Sequence, residues 1–205
     1  MKLYGFPPSP NTRKIQALAA HVGVPVELVL VDLSKGEQKK PDYLAINPAG
    51  RTPTLVDGDL ELSESNAILQ YVAGAKPSSL WPDDRRQRAD ITRWQCWQLA
   101  HWDEGCVGLI RENVIKKVMG MGAPDPAAVK AAETAFARDA SVLDRHLATQ
   151  QYLVGNTLTI ADFAVAAPLA YAEAASLPLS DYPNIRAWYA RIASLPAWKE
   201  ANPAM

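Results

Sequence analysis

Apolar and polar positions follow two different rhythms along the chain, and the change falls near residue 80. Before it, short apolar runs of strand length alternate with stretches of helical period. Residues 2–6 (KLYGF) read as a short strand. Residues 10–22 place Ile15, Leu18, Ala19 and Val22 at helical spacing, and Gly23 ends that helix. Residues 26–32 (VELVLVD) predict a buried strand, and residues 40–46 a short helix or turn. The stretch TPTLVDGDLELSES predicts two strands around Asp57-Gly58, a strong hairpin signal. Residues 64–73 predict another helix, with Ala67, Ile68, Tyr71 and Val72 on one side. The order β-α-β-α-β-β-α fits a small α/β sandwich around a mixed sheet.

Residues 75–84 (AKPSSLWPDD) carry two prolines and little periodicity, as a linker does. Beyond them no strand is convincing. A tryptophan-rich helical pattern covers 86–118, GAPDPAA breaks it, and a second long helix runs to about Ala148. Residues 159–176 predict a third helix. Residues 183–195 predict an amphipathic one, with Ile185, Trp188, Tyr189, Ile192 and Leu195 on its apolar face. The expected organisation is an α/β domain over 1–76, a linker over 77–84 and an all-α helical domain over 85–205.

Composition adds exclusions. The 205 residues carry 21 Lys and Arg against 22 Asp and Glu, so nothing favours nucleic acid or an anionic membrane. The start, MKLYG, is too short an apolar run for a signal peptide. The alanine-rich run 160–177 contains Asp162, Pro168 and Glu173, which points to a buried core helix rather than a membrane span. Cys96 and Cys106 lie about 15 Å apart if they share one helix, too far for a disulfide. Reduced structural thiols in a cytoplasmic protein are the expectation, and the sequence holds no metal-ligand cluster.

Three stretches of the first half carry candidate chemistry. In GFPPSPNTRKI a strand passes through a polar turn into a helix, and the turn offers Ser9, Asn11 and Thr12. A hydroxyl or amide there can donate to a thiolate at the helix start. Lowering a thiol pKa by two units takes about 2.7 kcal/mol. One charged hydrogen bond (roughly 1.5–3 kcal/mol) with a helix N-terminus (roughly 0.3–1) is of that order. Plain N-capping explains the same residues equally well. In GRTPTLVDGD, Pro53 sits at a strand start. A cis bond there would offer the Thr52 backbone to an extended ligand, and an ordinary trans proline is the alternative. In ELSESNAI, Ser63, Glu64 and Ser65 sit at a strand-to-helix junction. They suit an amino-acid head group bearing both charges, or a simple cap with Ser63 at the N-cap.

Taken in this order, the three stretches resemble the cytosolic glutathione S-transferases over essentially the whole chain. The most specific piece is NPAGRTPTLVDGDLELSESNAILQYVA, residues 47–73. The resemblance implies a thioredoxin-like first domain and a helical second one. It implies a cis Pro53, with Thr52 holding the cysteinyl part of glutathione and Glu64 and Ser65 the γ-glutamyl end. KGEQKKPDYLAINPAG is similar to the serine-type classes, phi above all, in which a histidine-lysine pair meets the glycyl carboxylate; here the pair reads Gln38-Lys39, and Gln38 departs from the pattern. SPNTRKI resembles the phi and theta pattern of a serine followed four residues later by arginine, which gives Ser9 the thiolate and Arg13 a structural or domain-bridging role. It also resembles a bacterial group with thiol oxidoreductase activity in which an asparagine meets the sulfur, the position of Asn11. No cysteine lies in the turn, and Tyr4 sits too early for the tyrosine-type classes.

The implied function is conjugation of glutathione, as co-substrate, to hydrophobic electrophiles by a cytoplasmic homodimer that needs no metal. A glutathione-dependent disulfide reductase or peroxidase, and a non-catalytic ligand carrier, are the alternatives. In the second half, Thr159-x-x-Asp162 reads as a capping box with Leu158 and Phe163 as a staple. RWQCWQLAHWDEGC places Trp94, Trp97 and His101 on one stripe and Trp102 and Cys106 on the next. Phe6, Trp102, Cys106 and Ile110 are the expected electrophile pocket, and His101 a satisfied packing histidine.

Overall fold

The structure is a computed structural model and describes residues 1–202. It divides into two compact units, one of Met1–Trp81 with the segment from Leu195 onward, the other of Pro82–Ser194.

The first unit is built on a four-stranded mixed sheet in the order β2-β1-β3-β4. Strand β1 (Lys2–Gly5) runs into helix α1 (Pro10–Val22), which Gly23 ends in the left-handed conformation at φ 65°. Strand β2 (Glu27–Leu30) pairs in parallel with β1. Helix α2 (Pro41–Ile46) leads to β3 (Thr54–Asp57), antiparallel to β1, and β4 (Leu60–Leu62) closes the hairpin before α3 (Ser65–Gly74). Leu3, Leu55, Ile15, Leu18, Ile68 and Leu69 are fully buried between sheet and helices. The strand predicted over 26–32 is shorter and is not buried. It lies at the sheet edge with β1 alone beside it, and Leu30 is 58% exposed.

Residues 195–202, expected in the helical half, pack here instead. Pro196 starts a separate helix, α10 (Pro196–Ala201), which lies against α1 and buries Trp198.

The second unit is helical. Helices α4 (Arg85–Trp97), α5 (Asp103–Ile110) and α6 (Lys116–Val118) follow one another through π-helical turns at 98–102 and 111–115. Helix α7 (Pro126–Leu147) packs on α5 so closely that a Cβ at Gly105 would stand 2.5 Å from the Phe136 nitrogen. Helix α8 (Ile160–Ala166) fills the centre, and α9 (Pro183–Ala193) covers it with Ile185, Trp188 and Ile192. The helix predicted over 159–176 stops at Ala166 and tightens to a 3₁₀ turn over Ala167–Tyr171, because Pro168 has no N–H to continue the α pattern.

Carboxylates close the helix starts of this unit. Asp84 accepts from the Gln87 N–H at 2.8 Å and Asp125 from the Ala127 N–H at 3.0 Å. Asp144, reaching across from α7, accepts from the Asn184 and Ile185 N–H groups of α9 at 2.9 and 3.0 Å. At α8 the capping box forms as its spacing predicts, and Asp162 does more than the box requires. Its fully buried carboxylate accepts from the Thr159 N–H and hydroxyl, the Leu153 N–H and the Trp188 indole, at 2.8–3.1 Å. Burial pushes this carboxyl above its usual pKa, while the four donors pull the other way.

Candidate glutathione site

The turn that carries Ser9 is positioned by how β1 hands over to α1. The Ser9 N–H donates to the Phe6 carbonyl at 2.8 Å, so Phe6–Ser9 is a tight turn. Arg13 fastens it from inside α1, its Nε donating to the Pro7 carbonyl at 3.0 Å. The glycine at position 5 is required by packing, because a Cβ there would stand 2.7 Å from the Thr12 side chain. Thr12 is fully buried under that glycine, so its hydroxyl is not a ligand group.

Ser9 occupies the N-cap of α1 but does not cap with its side chain. Its carbonyl receives the Thr12 and Arg13 N–H groups, while its Oγ has no hydrogen-bond partner among the described residues. Asn11, two residues on, is held from outside the helix. The Ser65 hydroxyl donates to Asn11 Oδ1 at 3.3 Å, a bond that joins positions 54 residues apart. A second link runs beneath it, where the buried Lys14 ammonium donates to Asn66 Oδ1 at 2.8 Å. The first turns of α1 and α3 are therefore tied side by side.

The start of α3 differs from the simple cap that its sequence allows. Its N-cap is Glu64 rather than Ser63, and Glu64 makes no capping bond. It is exposed and stands at φ 66°, ψ 110°, a region that side-chain-bearing residues occupy only when the surroundings impose it. The Thr52–Pro53 peptide is cis. Neither the N–H nor the carbonyl of Thr52 is hydrogen-bonded among the described residues. Gln38 and Lys39 lie in a 3₁₀ turn over Glu37–Lys39. Lys39 is exposed, while Gln38 Oε1 is enclosed without a partner.

The N-terminal domain family of the glutathione S-transferases matches residues 1–74, and the C-terminal domain family matches residues 109–196. Glutathione S-transferase 3 of Zea mays is 35% identical over 100% of this chain and 94% of its own length. The chain belongs to the glutathione S-transferase family. The apo structure of glutathione S-transferase III superposes with a TM-score of 0.87 at 34% identity, covering 100% of this chain and 97% of that one. A theta-class glutathione S-transferase from Xanthomonas axonopodis, solved with glutathione bound, gives 0.89 at 30% identity, over 100% and 97%. Glutathione S-transferases of Hyoscyamus muticus and Arabidopsis thaliana are also similar, 32% identical over 98% of this chain and 97% of the relative, and 34% identical over 88% and 86%. The first unit is thus the thioredoxin-like half of the family fold.

Three of the four residues expected in the electrophile pocket lie in the second unit, and all three are buried. Trp102 is fully buried, donates its indole N–H to the Val165 carbonyl at 3.0 Å and packs on Trp97 and Phe136. Cys106 and Ile110 are interior as well, and burial pushes the Cys106 thiol well above its usual pKa. His101, expected as a packing residue, is exposed. The π turn over 98–102 explains both outcomes. Its extra residue per turn rotates everything after Trp97 relative to an α-helical wheel, and no composition signal announces it. Phe6 is half-buried in the first unit, at the end of β1. Sequence reasoning also passed over Tyr43 and Asn47, which bind the loop around Thr52. The Asn47-Pro48 dipeptide after a short helix was the available signal. Among the described residues no group of three His, Cys, Asp or Glu side chains is placed to hold a metal.

Proposed function

We propose that this chain binds glutathione in its first unit and transfers the thiolate to an electrophilic carbon of a hydrophobic substrate. The observation that carries the reading is Ser9. A hydroxyl at a helix start that caps nothing is left over for a ligand, and at this position it meets the positive end of α1. Ser9 Oγ donates to the glutathione sulfur and favours the thiolate at neutral pH. Thr52 pairs its open backbone with the cysteinyl residue. Glu64 receives the γ-glutamyl ammonium, and the Ser65 hydroxyl, turning away from Asn11 Oδ1, donates to the accompanying carboxylate. Lys39 neutralises the glycyl carboxylate, with Gln38 beside it. The thiolate then attacks the carbon, the carbon–leaving-group bond breaks, and no covalent enzyme intermediate is needed. Proximity and a preorganised donor at the sulfur supply the acceleration. The serine-type assignment, a homodimeric state and a cytoplasmic location belong to this reading.

The decisive experiment is Ser9→Ala with an activated aryl chloride as electrophile. Loss of one charged hydrogen bond in the transition state lowers kcat by about 10- to 150-fold with little change in glutathione affinity. An unchanged rate removes Ser9 from the mechanism.

A second reading keeps the fold and moves the sulfur contact to Asn11, as in a disulfide reductase. The Ser65 bond favours it, because engaging Oδ1 leaves the amide NH₂ as the end that faces a ligand. Asn11→Ala compared with Ser9→Ala in a disulfide-reduction assay separates the two.

A further inference from the structure

Four hydrogen bonds close a ring around the loop that carries Thr52. Tyr43 sits on α2 and Asn47 at its C-cap, and both are almost fully buried, as is Thr54 at the start of β3. The Tyr43 hydroxyl lies 2.6 Å from the Arg51 carbonyl and 2.9 Å from Thr54 Oγ1. Asn47 Nδ2 lies 2.8 Å from the Arg51 carbonyl and 2.9 Å from Thr54 Oγ1. Counting protons leaves one consistent arrangement. The single Tyr43 hydroxyl proton goes to Arg51. Thr54 must then donate to the Tyr43 oxygen, and the two amide protons of Asn47 serve Arg51 and Thr54. Arg51 O accepts twice, and no donor in the ring is left over. Burial pushes the Tyr43 phenol above its usual pKa, which keeps that proton in place.

The ring grips residues 51 and 54 and leaves Thr52 between them untouched. It also reaches further. Asn47 Oδ1 accepts from the Ala49 N–H at 3.1 Å, and the Asn47 carbonyl from the Gly50 N–H at 2.9 Å. Gly50, at φ 59°, comes so near the preceding turn that a Cβ would stand 3.1 Å from the Gln38 carbonyl. One buried polar cluster thus fixes the loop of Thr52 against the short helix, with Gly50 passing close to the turn of Gln38 and Lys39.

We infer that Tyr43 and Asn47 are positioning residues for glutathione: they touch no ligand themselves but set the Thr52 backbone in the place where the peptide pairs with it. The inference rests on the glutathione reading above. Its energetic logic is preorganisation, since a loop already held in the bound geometry loses little freedom when the ligand arrives. Tyr43→Phe is the mildest probe, because it removes one hydroxyl and keeps the ring that fills the site. Asn47→Asp is the harsher one, replacing the two donated protons with an oxygen that faces two acceptors.

The experiment is calorimetric titration with glutathione together with steady-state kinetics, on wild type, Tyr43→Phe, Asn47→Asp and, as a stability control, Thr159→Ala in the second unit. Tyr43→Phe is expected to weaken glutathione binding and raise its KM about five- to tenfold, the value of one net hydrogen bond, with kcat at saturation within about twofold. Asn47→Asp is expected to weaken binding further. Thr159→Ala is expected to leave both constants unchanged. If wild type binds no glutathione, the proposed function fails and this inference with it. If wild type binds and Tyr43→Phe binds equally well, the inference alone is overturned. It is overturned also if Thr159→Ala weakens binding as much, or if kcat falls while KM stays.

Discussion

The helix starts of the two units are built on opposite terms. In the helical unit a carboxylate closes the start of α4, α7, α8 and α9: Asp84 and Asp125 at the N-caps, Asp162 inside the first turn, and Asp144 from the neighbouring α7. In the thioredoxin-like unit α1 and α3 begin on Ser9 and Glu64, and neither side chain caps. Both units place polar side chains against their helix starts, so residue type alone does not separate them. The difference lies in where the hydrogen-bonding capacity is used. Where it is closed inside the protein, the residue holds the fold. Where it is left open at the surface, the residue is available to a ligand.

The contrast can be broken most forcefully at Asp162. Asp162→Ala leaves the Leu153 and Thr159 N–H groups and the Trp188 indole buried without an acceptor, and should cost about 3–5 kcal/mol in denaturant unfolding. A loss below about 1 kcal/mol would mean that the four bonds are replaceable. Thr159→Ala removes the hydroxyl and keeps the carboxylate, and should cost ~1 kcal/mol. Glu64→Gly works in the other direction. It relieves the positive φ and should raise stability by about 1 kcal/mol while weakening glutathione binding, a trade between stability and site geometry. Ser9→Ala, which removes most conjugating activity, should change the unfolding free energy by less than about 0.5 kcal/mol, because its hydroxyl holds nothing in place.

The smallest expected effect is a pH dependence at Asp32. This carboxylate caps the exposed turn Leu33–Lys35, and the Ser34 hydroxyl, followed by Lys35, holds its pKa down to about 2. A carboxyl depressed by folding stabilises the native state above its unfolded pKa of about 4 and loses that contribution as pH falls toward the folded value. Asp32→Asn should therefore unfold like wild type below about pH 2 and slightly more easily above pH 4. Parallel acid-titration curves for the two proteins would remove Asp32 from the set of working caps.

Periodicity and turn chemistry made most of the fold legible. The α1 boundaries, the hairpin at Asp57-Gly58 and the capping box at Thr159 follow from local signals alone. What stayed hidden is tertiary. That β2 is an exposed edge depends on the strand order, which its apolar run does not encode. That Trp102 is interior and His101 exposed depends on a π turn. The candidate site divides in the same way. Ser9, Asn11, Thr52, Glu64 and Ser65 stand in recognisable motifs. Tyr43 and Asn47 look like ordinary residues of a short helix until the distances to Arg51 and Thr54 are known. Ser63, the cap in the simpler of the two readings, is not the N-cap; Glu64 is.

The helix at the far end of the chain has a consequence for how the protein can be made. Trp198 on α10 is sealed against α1, so the first unit borrows a wall from residues translated after the whole of the second unit. A nascent chain that has delivered Met1–Trp81 from the ribosome holds the sheet and the site loops but still shows α1 a missing neighbour. The unit synthesised first is thus the one completed last, and an expressed fragment ending at the linker would present to solvent the surface that Trp198 is there to cover.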